Sequence, residues 1–368
     1  MRLSQIYRQK KNFDKARDYA KKAKDLDATN LDVRFNEVVL LESEGKPLDA
    51  IALMKEMLTA TARKSYLPQE KTARISLLER LGVMQRNYEQ FPEAIKSFEE
   101  IMTLDPNSNS LMQAQIVETH HQAKDYLKAE ATVDEYLKKS PNDRRLLRLK
   151  GVLLSEVGKA TQGAELMTKL LDGKEDRETY LSIASIWEKG KNYGEMAKAL
   201  DQAEKLSTTP DEKDSVTFMR GAMLEKQKNF EAAEAEFQKI LKSDPNNAGA
   251  LNYLGYMLVD KNVRVPEGFA MIQKALDQDP NNGAYLDSIG WAYYRMDKLD
   301  EAAKYLQMAL EKTSKDPTVH DHMADVFFKQ GKLKEAIGSW ERSLSEWAVV
   351  APSDKDEKEV AKVQKKLD

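Results

Sequence analysis

Between residues 283 and 310 the apolar positions fall into two helical stripes separated by a short polar turn. Leu286, Ile289, Gly290 and Tyr293 are spaced i, i+3, i+4, i+7 and share one face of a first helix. Ala302, Leu306 and Ala309 form the stripe of a second. The alternation recurs along the chain. Leu251, Leu254, Gly255 and Leu258 repeat the first stripe, Ala233 and Phe237 the second, and Leu78, Leu81, Gly82, Ala94 and Phe98 give both together. The spacing between copies is about 34 residues. Gly290, Ala302 and Ala309 are small, so the paired helices are expected to approach closely. The second helix of a copy ends at an Asp-Pro or Ser-Pro followed by Asn, as in "TLDPNSN", "KSPND", "KSDPNN" and "DQDPNN". That punctuation ends the second helix and turns the chain into the next copy.

Ten copies are expected. A first one is cut short, and the others begin near Leu31, Ile75, Ser110, Arg144, Arg177, Asp214, Ala248, Gly283 and Pro317. Met1 aligns with the fifth position of a copy, so the fold is expected to start further upstream. "SYLPQEKTAR", from Ser65 to Arg74, reads as an insertion, and "DKNVRVPEG" as a longer internal turn in the eighth copy. The sixth copy is the most degenerate, and its end, "STTPDEKDS", reads as a flexible joint. We therefore expect an N-terminal array over residues 1–209, a C-terminal array over 210–350, and a charged tail over 351–368. In that tail Val360, Val363 and Leu367 are placed to dock on the last pair as a cap.

The period, the stripes and the small-residue positions resemble the tetratricopeptide repeat over essentially the whole chain. The resemblance implies an all-α solenoid, a right-handed superhelix of helix-turn-helix repeats with a C-terminal capping helix. "LNYLGYMLVD", "AYLDSIGWAYYRM", "VHDHMADVFFKQGK" and "AIGSWERSL" also resemble the C-terminal repeats of bacterial cell-envelope proteins, some of them lipoprotein adaptors. That resemblance alone favours an envelope or periplasmic location. "MRLSQIYRQKK" has no apolar core and is not a secretory signal.

Composition narrows the chemistry. The chain has a formal net charge of -3 with 32% charged residues, which argues against nucleic-acid binding as its main role. The first thirty residues hold nine Lys/Arg against four Asp, as expected of a solvated helix face. With no cysteine, thiolate metal sites are excluded. His120 and His121 are adjacent on a helix, and His320 and His322 lie about 200° apart around one, so neither pair makes good co-ligands. In each pair one packing and one surface histidine are expected. "SEVGKAT" lacks the earlier glycine of a phosphate loop. No nucleophile pattern is present. No catalytic residue, metal or cofactor is expected.

Trp291 breaks the pattern. It lies one residue past Gly290, about 100° from the packing stripe. Trp187 and Trp340 fall on packing positions, and Trp347 follows the last helix, placed to seat the cap. In the resembled family the second, fifth, ninth, twelfth and thirteenth positions of a copy face the inner wall. In this chain that implies a partner-binding set of Phe218, Asn252, Tyr256, Asp287, Trp291, Tyr294, Arg295, Asp321, Asp325, Phe328 and Lys329. Aromatics concentrate there, interleaved with acids and a few cations, which is the composition of interaction hot spots.

The expected function is therefore a non-enzymatic adaptor. A partner peptide or helix lies in the groove of copies seven to ten, anchored on aromatics, while Asp287, Asp321 and Asp325 select a basic or amide-rich segment. Asp287 and Asp321 stand where the family's carboxylate clamp would place cations, which argues against that mode. The alternative is glycan binding or exopolysaccharide guidance, since aromatics and carboxylates also suit sugar rings.

Overall fold

The computed structural model describes residues 1–368, and the chain is all-α. Ten helix pairs follow one another. They are α1 (Arg2–Gln9) with α2 (Phe13–Leu26), α3 (Leu31–Ser43) with α4 (Pro47–Ala60), α5 (Pro68–Asn87) with α6 (Phe91–Leu104), α7 (Asn109–Gln122) with α8 (Tyr126–Lys139), and α9 (Arg144–Glu156) with α10 (Ala160–Thr168). Then come α11 (Asp176–Lys189) with α12 (Tyr193–Leu206), α13 (Pro210–Lys226) with α14 (Phe230–Ser243), α15 (Ala248–Asp260) with α16 (Val265–Gln278), α17 (Gly283–Arg295) with α18 (Leu299–Lys312), and α19 (Pro317–Lys329) with α20 (Leu333–Trp347). A last helix, α21 (Glu357–Leu367), has no partner of its own. No helix is long and apolar enough to cross a membrane.

The polar punctuation does what its chemistry dictates. Asn30, Asn282 and Asp316 each accept two backbone N–H groups at the start of α3, α17 and α19, satisfying donors that a helix leaves free at its N-terminus. The turn inside a pair carries one residue in the left-handed region, or two (Asn262 and Arg264) in the longer turn of the eighth pair. The single residue is glycine at Gly45, Gly158 and Gly331, and a polar residue such as Glu89, Lys228 or Asp297 in other copies.

The small residues sit where helices meet. A Cβ on Gly290 would lie 2.8 Å from the Leu306 side chain, and Gly82 and Gly221 are pressed by Phe98 and Phe237. In the eighth pair two glycines face each other, and a Cβ on Gly268 would lie 2.6 Å from the Gly255 carbonyl. Ala302, Leu306 and Ala309 are fully buried, as the second-helix stripe requires.

The chain divides into two compact units, Met1–Lys150 and Gly151–Asp368. The first has a core running through Met54, Leu78, Phe98 and Ile116. The second holds one cluster around Phe237, Leu254 and Met257, another around Ile272, Ile289, Leu306 and Met323, and a third around Ala324, Trp340 and Val363.

The joints are built from specific contacts. The break expected at residues 209 and 210 lies inside the second unit; the division between units falls within α9. "STTPDEKDS" is a capping box rather than a loose linker. The Glu212 carboxylate accepts from the backbone N–H of Thr208 (2.6 Å) and Thr209 (3.0 Å), while Thr209 Oγ1 accepts from Glu212 N (3.3 Å). Those backbone donors hold the Glu212 carboxyl at about 2. Arg177 of α11 ties the segment down by donating to Ser207, to the Glu212 carbonyl and to Ser215. The insertion before Ile75 is likewise ordered as helix, since α5 starts at Pro68 with Glu70 accepting from the Leu67 N–H. Proline at the first helical position and a glutamate at the third were start signals within the apparent insertion.

Candidate functional site

The residues expected on the inner wall come from α13, α15, α17 and α19, all in the second unit. Helix α17 packs between α15 and α19 through its first-helix face. The side chains divide into three groups.

The first group is wall material. Trp291 is only 6% exposed. Its ring stacks on Tyr294 (centroids 4.7 Å apart) and on His322 (4.1 Å). Its indole N–H donates to Asp260 Oδ1 (3.2 Å), and the Arg295 guanidinium lies 4.8 Å from the ring. Arg295 also donates to the Asp260 carbonyl (2.7 Å), crossing from α17 to α15. The expectation of an open tryptophan awaiting a partner is therefore corrected. Leaving the packing register of its own pair turned the ring toward neighbouring first helices, and these cover it. Phe218 is partly buried. Its ring meets Phe237 and Tyr253 edge-on at 5.4 Å each and packs against the edge of the cluster that holds Phe237, Leu254 and Met257.

The second group is a buried polar strip. Asp287 Oδ1 lies 2.8 Å from His322 Nδ1, linking α17 to α19. Burial alone would lower the His322 pKa, but Asp287, Asp321 and Asp325 outweigh it and raise it above the ordinary value. Tyr256 sits beside this pair, and burial together with Asp287 and Asp260 drives its phenol well above the ordinary range. Asp321 is buried and Asp325 half-buried. Burial raises the Asp325 pKa; nearby Lys366 opposes that and Asp321 adds to it. The nearby Asn252 Oδ1 is buried and makes no hydrogen bond.

The third group is open. Phe328 is 56% exposed, with its ring tilted toward Trp340 at 5.6 Å. Lys329 pairs with Asp297 (2.6 Å) and hangs 5.0 Å from the Tyr294 ring.

Two members of this arrangement escaped the sequence reading. One packing and one surface histidine were expected in this pair without assigning which; His322 is the buried one, while His320 is partly exposed and bonds the Ser314 carbonyl, and the link of His322 to Asp287 and Trp291 crosses between copies. Lys366, from α21, brings its ammonium to 2.6 Å from Asp321 and 2.7 Å from Asp325. No periodic signal marks it, because it stands among the lysines of a charged tail. The only available signal was complementarity to two inner-wall acids.

Beside the strip a cleft of 510 Å³ lies between the ends of α11, α13 and α15 and the segment leading into α21. Lys189, Lys226, Lys228 and Lys261 line it together with Asp354 and Glu359. No group of three or more His, Asp or Glu side chains is placed to hold a metal ion.

Three family models, each described as tetratricopeptide repeat, match residues 1–30, 88–153 and 152–346. No curated protein matches the chain. Among solved structures it is similar to yeast Tom70, at 16% identity over 100% of this chain and 87% of that one, with a TM-score of 0.46. The Cut9-Hcn1 hetero-tetramer of APC/C aligns at 13% identity over 99% and 95% of the two chains, TM-score 0.46. A thermophilic TPR protein of Thermus thermophilus aligns at 16% identity over 51% and 98%, TM-score 0.42.

Proposed function

The chain belongs to the tetratricopeptide-repeat family, and on that premise we propose that it is a non-enzymatic adaptor whose partner segment lies on the first-helix faces of α13, α15, α17 and α19. Stacked helix pairs present extended binding surfaces, and protein or peptide ligands are their usual occupants. The partner segment proposed here carries a basic side chain. The observation that carries this reading is the seating of an ammonium group, Lys366, against Asp321 and Asp325 at 2.6 and 2.7 Å. Two carboxylates this close to each other and this far from water are stabilised by a cation between them. Phe328, open to solvent at the rim, supplies an apolar contact.

The glycan reading loses its principal anchor. A sugar needs an exposed ring face, and Trp291 stacks on Tyr294 and His322 and is 6% exposed. The protein-binding reading is the better supported.

The test is site-specific photocrosslinking in the source cells. A benzophenone side chain placed at Asn252 or Phe328 captures a partner, while one at exposed Glu341 on α20 does not. Asp321→Lys abolishes the capture. Equal capture from Glu341, or capture indifferent to Asp321→Lys, refutes the assignment.

A further inference from the structure

The path of the C-terminal segment exceeds what a solenoid cap requires. A cap needs to cover only the last pair. Helix α21 does this: Val363 is 1% exposed and packs with Ala324, Ala336 and Trp340. The residues before it go elsewhere. Ala351 is buried, and the backbone N–H of Ser353 donates to the Glu156 carbonyl (3.0 Å) at the end of α9. Asp354 pairs with Lys189 at the end of α11. Glu359 lines the lysine cleft with Lys228 and Lys261 and adds to the field that raises the Tyr256 pKa. Lys366 reaches Asp321 and Asp325. Residues 351–366 thus run from α9 past α11 and α15 to α19, along first helices of four different copies.

Charge is biased along this path. Asp354, Asp356 and Glu359 of the segment line a cleft whose walls carry Lys189, Lys191, Lys226, Lys228 and Lys261 against Glu188 and Glu225, and Lys366 lies by the aspartates of α19. The same order suits a helix, whose N-terminus favours acids and C-terminus bases. Its attachment is nevertheless slight. An eleven-residue helix is marginal by itself. Of its side chains only Val363 is fully buried, and its outer pairs are open to solvent, Lys189 with Asp354 at 34% and 45% exposure.

We propose that residues 351–368 are a built-in ligand that occupies the partner-binding face and must be displaced by a partner helix of like chemistry. That helix carries acids in its first turn, an apolar residue where Val363 sits, and a lysine or arginine near its C-terminus. The inference rests on the groove assignment above and adds its occupant and its regulation. A tethered segment competes at an effective concentration in the millimolar range, so it lowers apparent affinity for any partner by the fraction of time it is seated.

The test uses the full chain and a fluorescent synthetic peptide of residues 351–368 as the probe. In the Val363→Asp/Lys366→Glu double variant, amides of residues 357–367 exchange faster than in the parent. The variant binds the peptide more tightly than the parent by about tenfold or more. Adding Asp321→Lys and Asp325→Lys removes that binding. Because Val363→Asp uncovers Trp340, Lys366→Glu alone is tested beside it; it keeps the apolar contact and gives a smaller gain in the same direction. Parent amides that already exchange freely over 357–367, or equal peptide binding by parent and both variants, overturn the proposal. The groove assignment fails separately. If crosslinking at Asn252 captures one partner equally from parent and released variant, the groove stands and the built-in ligand falls. If the peptide binds the released variant but groove crosslinkers capture nothing, the tail has its seat but the partner assignment falls.

Discussion

Trp291 and His322 decide what the inner face of the second unit is made of. The indole is buried, stacked and hydrogen-bonded to Asp260, so Trp291→Ala removes a large ring that several helices have closed around. The expected cost is about 3–5 kcal/mol, the range for large aromatic truncations in cores. Trp291→Phe keeps an aromatic stack and loses the bond to Asp260, and about 1 kcal/mol is expected. Urea unfolding followed by far-UV circular dichroism separates the two; no loss from Trp291→Ala means the ring is not wall. His322 adds a pH dependence. Its folded pKa is raised above 6.5, with Asp287, Asp321 and Asp325 from α17 and α19 favouring the charged form. Folding therefore gains from its protonation fully below the ordinary histidine pKa, and the gain disappears as pH rises through the higher folded value. Urea midpoints taken from pH 6 to 9 are expected to fall more for the parent than for His322→Gln. Parallel slopes refute a charged His322.

At the scale of elements, what matters is how closely two helices of a pair approach. Gly255 and Gly268 bring α15 and α16 backbone to backbone, and a Cβ on either meets the other's carbonyl. Backbone cannot turn aside as a side chain does, so Gly268→Ala is expected to destabilise by about 1–3 kcal/mol, the cost of overpacking. At Gly290 the nearest obstructing atoms belong to the Leu306 side chain, which can rotate where a backbone carbonyl cannot, although Leu306 is itself fully buried and its backbone N lies 3.2 Å away. Gly290→Ala is expected to cost less than Gly268→Ala, and Gly290→Leu to cost as much. Thermal melts of the three variants check this order. The start of α13 offers a second test. Its Glu212 carboxylate is held at about 2 by the Thr208 and Thr209 amides, so the cap survives down to strongly acidic pH and fails only as pH falls through that value. Glu212→Gln is expected to speed amide exchange at Thr208 and Thr209 at neutral pH. Unchanged exchange there means the carboxylate does not hold the turn.

For the whole molecule, near-neighbour packing is the rule and residues 351–366 are the exception. Most helices touch only those beside them in sequence, so stability varies along the array rather than being shared evenly. Unfolding of the full chain is expected to spread over more than one step, with the units Met1–Lys150 and Gly151–Asp368 differing in midpoint. Pulsed hydrogen exchange at increasing urea checks this; a single step with uniform protection refutes it. The C-terminal segment links α9, α11 and α19 across long sequence separations. Asp354→Lys, which reverses one outer contact, is expected to loosen residues 351–356 and leave the core of the second unit intact.

The repeat and its consequences were legible in the residues. Leu286, Ile289 and Gly290 imply one helix face, Ala302 and Ala309 the helix that packs on it, and Asn282 the turn before them. These are local rules: side-chain spacing, small residues at close approach, and acceptors at helix starts act within a few residues of the chain. Helix starts at Leu31, Arg144, Ala248, Gly283 and Pro317 match for that reason. Which face of the wall stays open was not legible, because it depends on what neighbouring copies project toward it. Trp291 left the register of its own pair, and Asp260 and His322, each about 31 residues away in sequence, covered it. "STTPDEKDS" has the composition of a linker, yet its Thr209 and Glu212 make a capping box by a local rule; what only tertiary structure supplied is Arg177, which ties the segment to α11. The tail shows the limit most clearly. Its sequence specifies a charged amphipathic helix, whereas its place along α9, α11 and α19 was decided by tertiary structure, through charge complementarity between residues far apart in the chain.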